Sequence, residues 1–466
     1  MKAQYYGHTH AFENSKYLER RSTHHLKRFF IVMSGILLTN VGLPNTIFAA
    51  TQNENLQQQV DRLQQEIKSL NKKINTKVSK TQYSSKTRYV LGGNNYIYTD
   101  SRGPKKFEQL SSSDIPLSLL KMKNMYPKQS LALGGLFEFE PINSWFGDDL
   151  SQITNTKNYH HGTATSISNV SFDAMMNVND YTQMFTQFSY TGNPGTISLM
   201  SGFVTFGNLK KSPFFASIGK FRPRFGVFPG GPYYATIPQG IFRPGHLINT
   251  TVGYSNNHLD TYVTFLPTIV KNNIGNSIGR KNGVMVSAFY SGDVNKDISY
   301  GVNAGYVSDV ASTSSSVGTA IASTMTKYQK IPALNVDANV TIGPINVSGG
   351  YQTTTKKAYG LTDKASIQKA KASSYYAQVA YSMKMYDRPI TFALNYSKAK
   401  NTENVAMPLA GDIDNGPTAT GIEKQLGGYA IVHINKSLAV GLEYARMKTY
   451  TGKHSDEATL YTAVYF

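Results

Sequence analysis

The 466-residue chain has no cysteine, one tryptophan and only 16% charged residues. Without cysteine there is no disulfide, no thiolate-held zinc or iron–sulfur cluster, no thiol nucleophile and no lipid-carrying N-terminal cysteine. Sparse charge argues against a disordered chain, and no apolar run reaches the ~20 residues of a membrane-crossing helix. Zinc-finger, helix-turn-helix and RNA-binding signatures are missing, so nucleic acid is not an expected partner. What is abundant is tyrosine (31), phenylalanine (23) and glycine (39), the composition of a β-rich protein.

The formal charge of +19 is unevenly placed. Residues 1–50 hold six basic and two acidic residues, and residues 51–129 hold fourteen and six, so the remainder is only mildly basic. Arg20, Arg21, Lys27 and Arg28 precede the apolar stretch Phe29 to Leu43, which is followed by Pro44 and Phe48-Ala49-Ala50. That order predicts a secretory signal over 1–50, cleaved after Ala49 or Ala50. Its n-region is long, which leaves open a start downstream of Met1. In an exported chain the positive charge faces anionic lipid, polysaccharide or solutes.

Residues 51–79 carry apolar side chains at Leu56, Val60, Leu63, Ile67, Leu70 and Ile74. The alternating steps of four and three put Val60, Ile67 and Ile74 at a and Leu56, Leu63 and Leu70 at d of a short coiled coil. β-Branched a with Leu d favours two strands, whereas outer-membrane pores are often trimers, so a dimer and a trimer both stay open. Residues 80–129 have no clean period; Gly92-Gly93-Asn94-Asn95 and Ser111-Ser112-Ser113 punctuate them as in a linker. A plug at the mouth of the following domain is the other reading.

From residue 130 to 466 the period is two. Leu334, Val336, Ala338 and Val340 alternate with Asn335, Asp337, Asn339 and Thr341; Leu438, Val440, Leu442 and Tyr444 alternate with Ala439, Gly441, Glu443 and Ala445. A strand sends alternate side chains to opposite faces, so one face is apolar and the other polar or small. Connections separate a sandwich from a barrel. Asn177 to Asp180, Asn256 to His258 and Gly343-Pro344 are tight, whereas 141–164, 221–248, 309–331, 352–372 and 398–424 are long. Short turns alternating with long loops predict an all-β transmembrane antiparallel barrel of about sixteen strands, with fourteen or eighteen also fitting. The chain ends with Leu460, Val464 and Phe466 on one strand face, a pattern read as the signal for the barrel-insertion machinery. These features place the protein in the outer membrane of a Gram-negative bacterium, in contact with lipid and lipopolysaccharide.

Phe203-Val204-Thr205-Phe206-Gly207-Asn208-Leu209, followed by Ser212 to Gly226 with its Gly219-Lys220-Phe221-Arg222-Pro223-Arg224-Phe225-Gly226, resembles siderophore porins that need no energy-transducing inner-membrane partner. It is also similar, more weakly, to early strands of phosphate-selective porins, from which it departs by Arg224 where an apolar residue is usual. The resemblance implies passive uptake of a small solute, an anion or an iron chelate. Lys220, Arg222, Arg224, Tyr233, Tyr234 and Arg243 lie in or beside the 221–248 loop; guanidinium groups suit carboxylate and phosphate oxygens, so these six form the candidate pore constriction. A surface loop binding lipopolysaccharide phosphates is the other reading of them.

No enzyme, cofactor or metal site is expected. Gly275-Asn276-Ser277-Ile278-Gly279 fits G-x-S-x-G but not the strand-to-helix turn that motif needs. Asp148, Asp149, His160 and His161 share one loop without a second constellation. A barrel that displays long loops as a structural or interaction protein remains the alternative to a pore. Replacing Ile67 and Leu70 by Asp buries charge in the coiled-coil seam; the expected outcome is monomers in detergent by native mass, with the barrel still assembled.

Overall fold

The computed structural model describes residue 65 and residues 96–98, 104–106, 115–123, 126–147, 162–191, 196–228, 234–271, 277–295, 297–324, 329–362, 368–386, 388–408, 418–435 and 437–466. The signal and the coiled-coil positions Leu56 to Ile74 lie outside them. The alternating stretches form sixteen antiparallel strands that close into one barrel. They are β1 (Ser130–Gly147), β2 (Gly162–Asn177), β3 (Thr182–Thr191), β4 (Thr196–Gly207), β5 (Phe214–Phe221), β6 (Leu247–Ser255), β7 (Leu259–Lys271) and β8 (Ser277–Asp293). The rest are β9 (Ile298–Val307), β10 (Ala333–Ile342), β11 (Ile345–Thr354), β12 (Ser373–Met385), β13 (Arg388–Lys400), β14 (Ile422–His433), β15 (Leu438–Thr449) and β16 (His454–Tyr465). Each strand pairs with its sequence neighbours, and β16 pairs with β1.

The apolar half of the alternation points outward. Phe188 on β3, Phe265 on β7, Val336 on β10, Val379 on β12, Leu394 on β13 and Leu442 on β15 are all exposed, the last two by 67% and 61%. In water such a belt would drive aggregation; against hydrocarbon it is the solvated surface. Among the described residues no helix is long and apolar enough to cross a membrane, so the crossing is made by strands. The inward half is polar, with Asp173, Ser201, Gln352, Ser397 and Thr459 all buried.

Tight turns gather at one end. Five among the described residues use the same device: the side-chain oxygen of Asn179, Asn208, Asn256, Asn295 or Asn435 accepts from one or two backbone N–H groups of the residues that follow. The short Asn side chain satisfies donors that the turn takes out of the ladder. At the opposite end the expected 141–164 loop is shorter than the sequence suggests, and β8 begins ahead of its clean alternation. β1 runs on to Gly147 and β2 starts at Gly162, and β8 starts at Ser277. Register shifts at Glu138/Phe139, Glu140/Asn143 and Ser277/Gly279 break the two-residue period there, so these polar strand ends resemble loop.

The barrel is filled from both ends. At the tight-turn mouth, α1 (Ile115–Met122) lies inside. Its Leu117 and Leu120 pack with Phe215, Tyr262 and Phe289, and Ile115, Leu119 and Met122 with Met175, Phe185, Phe203 and Phe221. Each buried leucine contributes roughly 1.5–3 kcal/mol. Lys121 pairs with Asp260 at 2.9 Å and Lys128 with Asp180 at 2.9 Å, exposed contacts that orient more than they hold. Burial pushes the Lys123 amine down to about 8, opposed by the Asp180 charge. Residues 115–123 and 126–129 of the 80–129 segment thus lie at the mouth, whereas Tyr96–Tyr98 and Pro104–Lys106 pair with each other in a separate two-stranded sheet. The rest of it lies outside the described residues.

At the seam, Phe466 and Gly135 exchange backbone hydrogen bonds, Gly135 N to Phe466 O at 2.9 Å and Phe466 N to Gly135 O at 3.2 Å. The Phe466 ring lies over the glycine: a Cβ at 135 would stand 2.3 Å from Phe466 Cζ and 2.4 Å from the Ser171 carbonyl oxygen. Leu460 and Val464 share the outward side of β16 with that ring. Gly135→Val, like deletion of Phe466, is expected to lower the heat-modifiable, assembled fraction in membrane preparations. Normal assembly in both variants would remove the seam contact from the account of closure.

Candidate pore constriction

The long connection after β5 turns into the lumen instead of standing above the rim. Arg222 and Pro223 leave the wall, and Arg224 reaches β7 and β8. Its guanidinium carbon stands 3.4 Å from the Phe289 ring centroid and its Nη1 donates to the Tyr262 hydroxyl at 2.9 Å. The Ser287 hydroxyl donates to the Arg224 carbonyl at 2.8 Å. The chain then presses on β9, where a side chain at Gly305 would put Cβ 2.2 Å from the Phe225 carbonyl oxygen. Only glycine permits that approach.

Two buried carboxylates fasten this segment to parts of the wall five strands apart. Asp337 on β10 accepts from Val227 N at 3.0 Å, Asn303 Nδ2 at 2.7 Å, Asn335 Nδ2, Tyr376 OH at 3.0 Å and Gln352 Nε2 at 3.1 Å. Glu443 on β15 accepts from Tyr234 N at 2.9 Å. The Tyr234 hydroxyl meets Thr459 Oγ1 at 2.8 Å and donates to Asn143 Oδ1 at 3.3 Å. Ile237 N donates to Ser397 Oγ at 3.1 Å. Hydrogen bonds to charged acceptors are the stronger kind, ~1.5–3 kcal/mol each.

Then α2 (Ile237–Phe242) crosses near β12 to β14. The loop between β9 and β10, with α3 (Ser316–Thr324), folds down onto it: Ser316 Oγ donates to Gly240 O at 2.9 Å, and Gly245 N to Thr313 O at 2.9 Å. Ile237, Ile241, Phe242, Val310, Val317, Ile321, Leu361, Val405 and Met407 form one buried apolar cluster inside the long-loop end. The segment returns to the wall at His246, whose Nδ1 lies 3.2 Å from Ser201 Oγ. Burial, with the Arg222 and Arg243 charges close by, holds this imidazole well below its usual range, so it is neutral.

The candidate residues therefore separate. Arg222, Arg224, Tyr234 and Arg243 lie on the inward segment; Arg222 and Arg243 are buried, with their charges near His246. Lys220 departs from the expectation. The alternation of β5 turns it to the outer side, where Nζ donates to the Leu199 carbonyl at 2.6 Å. Tyr233, Asp148, Asp149, His160 and His161 lie outside the described residues. The fastening groups Asp337, Glu443, Ser397 and Tyr376 were not singled out from the sequence, although an acid on a strand's inward face, like Asp337 among Asn335 and Asn339, is the signal that marks one.

The fold and this inward segment define a membrane-spanning β-barrel with an occupied lumen. Residues 93–334 match a family described as a protein of unknown function, DUF3573, and the chain belongs to that family. The UPF0422 protein of Coxiella burnetii is 22% identical over 407 residues, 81% of this chain and 86% of that one. Among solved structures, Pseudomonas putida OprB at high pH is 10% identical, covering 81% of this chain and 99% of that chain with a TM-score of 0.49. The outer membrane channel DcaP of Acinetobacter baumannii is 12% identical, covering 73% and 98% with a TM-score of 0.47. The anion-selective porin from Comamonas acidovorans is 10% identical, covering 73% and 100% with a TM-score of 0.48.

Asp337→Asn puts an amide where five donors converge, leaving some of them unmatched in a buried site. The expected result is a loss of about 2–4 kcal/mol of stability, with faster proteolytic cutting within 222–246 and an unchanged barrel by circular dichroism.

Proposed function

We propose that the protein is a passive outer-membrane channel for small solutes that favours anions. The observation that carries this reading is the inward segment between β5 and β6, which brings Arg222, Arg224 and Arg243 into the lumen of a closed, outwardly apolar barrel. Low-dielectric walls around a narrow passage leave the field of such charges less screened than in bulk water. Tyr234 narrows the passage from the opposite wall. The fill of α1, α2 and α3 supports low conductance and a small solute, with an anionic iron chelate and phosphate as first candidates from the resemblance of residues 203–226.

The display alternative has less support. The loop between β9 and β10 and residues 358, 361, 405 and 407 of the later loops turn inward onto α2 rather than projecting. In this proposal the signal over 1–50 is cleaved, the coiled coil of 51–79 holds two or three copies together, and the strand bearing Leu460, Val464 and Phe466 is read by the insertion machinery.

Arg222→Glu, Arg224→Glu and Arg243→Glu together should move the reversal potential in a salt gradient from anion-favouring toward cation-favouring. The shift should shrink near 1 M salt, where the Debye length is ~3 Å. Planar-bilayer recording is the test. Selectivity unmoved by the triple reversal would take the inward segment out of the permeation path, and purified protein without channels would end the pore reading.

A further inference from the structure

The outer face of the barrel carries a second charged feature, away from the lumen. Outward positions of β13 run Phe392, Leu394, Tyr396, Lys398 and Lys400 toward the long-loop end. On β14 Leu426 is followed in the same direction by Lys424, and on β15 Leu442 and Tyr444 by Arg446 and Lys448. The register sets Lys398 opposite Lys424 and Lys424 opposite Lys448. Three ammonium groups therefore stand in a row across three adjacent strands, flanked by Lys400 and Arg446, with exposed Lys371 just ahead of β12. Directly opposed like charges on neighbouring strands repel.

Two acids answer them in part. Glu423, at the register shift beside Ile422, reaches Lys398 Nζ at 3.3 Å and Lys424 Nζ at 3.9 Å. Asp456 lies 3.7 Å from Arg446 Nε and accepts the Tyr444 hydroxyl. Among the described residues Lys371, Lys400 and Lys448 make no ion pair. Six bases face two acids.

Depth gives the row its meaning. Tyr375 stands in register beside Lys398, and Tyr396 lies one outward position beneath Lys398 with its ring centroid 6.2 Å from that of Tyr375. Tyr444 lies beneath Arg446, and below these comes the apolar belt. From Ile390 to Lys400 the strand rises roughly 33 Å along its axis, or about 23 Å along the membrane normal at a ~45° tilt, close to the ~25 Å height of a barrel's apolar band. Tyrosines at the boundary and lysines just above it match the level of lipid head groups, with lysine stems lying over apolar surface and amines reaching outward.

We propose that Lys398, Lys424 and Lys448, with Lys400 and Arg446, form a docking site for the phosphates of a lipid in the leaflet around the long-loop end. The proposal rests on the membrane-spanning reading of the barrel. The occupant is a lipid and not a dissolved anion because the charged row is continuous with the belt that acyl chains cover, and its excess positive charge complements phosphate.

The test uses the full chain in phosphatidylcholine nanodiscs. Incorporation with protease-protected strands is read first; failure to incorporate overturns the membrane reading and this site with it. Incorporated protein is then titrated with diphosphorylated lipid A while its unfolding temperature is followed. Wild type should saturate, and the triple change Lys398→Gln, Lys424→Gln and Lys448→Gln should raise the half-saturating concentration at least about tenfold. A control with equal charge loss, Lys356→Gln, Lys357→Gln and Lys369→Gln, should titrate as wild type. Equal half-saturation in wild type and the first triple, or equal binding of dephosphorylated lipid A, overturns the site while leaving the barrel in the membrane. Full competition by inorganic phosphate at matching concentration overturns the lipid assignment.

Discussion

Everything in this molecule depends on a sheet closed into a ring with no free edge. A membrane offers no water to satisfy a free N–H or C=O, so strands that cross it must close on themselves. Fifteen of the sixteen pairings join strands adjacent in the chain, and the remaining one joins β16 to β1. Once the ring is closed, alternation alone sorts the side chains: the apolar set meets lipid and the polar set is turned inward. The interior then becomes a polar space that later segments fill, and the inward connection after β5 exists only because there is a wall on every side to fasten it.

That fastening is unevenly strong. The contacts of α1 are mainly apolar, with exposed ion pairs at the rim. The 222–246 segment is tied by buried carboxylates at Val227 and Tyr234 and roofed by the apolar cluster around α2. Buried charge-assisted bonds resist exchange with water, whereas rim pairs compete with it directly. Between the two fillings, the one at the tight-turn mouth is the easier to shift.

Much of the barrel was legible because its physics is local. The two-residue alternation of Leu334 to Thr341 and the tight Asn-containing turns reveal strands and their order without tertiary information. What stayed hidden was where irregular backbone goes. The extension of β1 past Glu140 escaped notice because bulges scramble the alternation there. Lys220 looks like its arginine neighbours in a list of residues, yet one step along a strand reverses the face it occupies. The role of Asp337 depends on Val227, 110 positions away, and no local pattern encodes that meeting.

The seam also orders the way the chain comes together. Hairpins closed by Asn179, Asn256, Asn295 and Asn435 bring together strands separated by a few residues, so little chain entropy opposes them. Gly135 and Phe466 are the ends of nearly the whole barrel, and their ladder carries a register shift between Leu460 and Thr462. Contacts between distant parts of a chain form late. Without β16, β1 has a bare edge beside a glycine gap shaped for one aromatic ring, and Phe466 fills that gap as a keystone fills an arch.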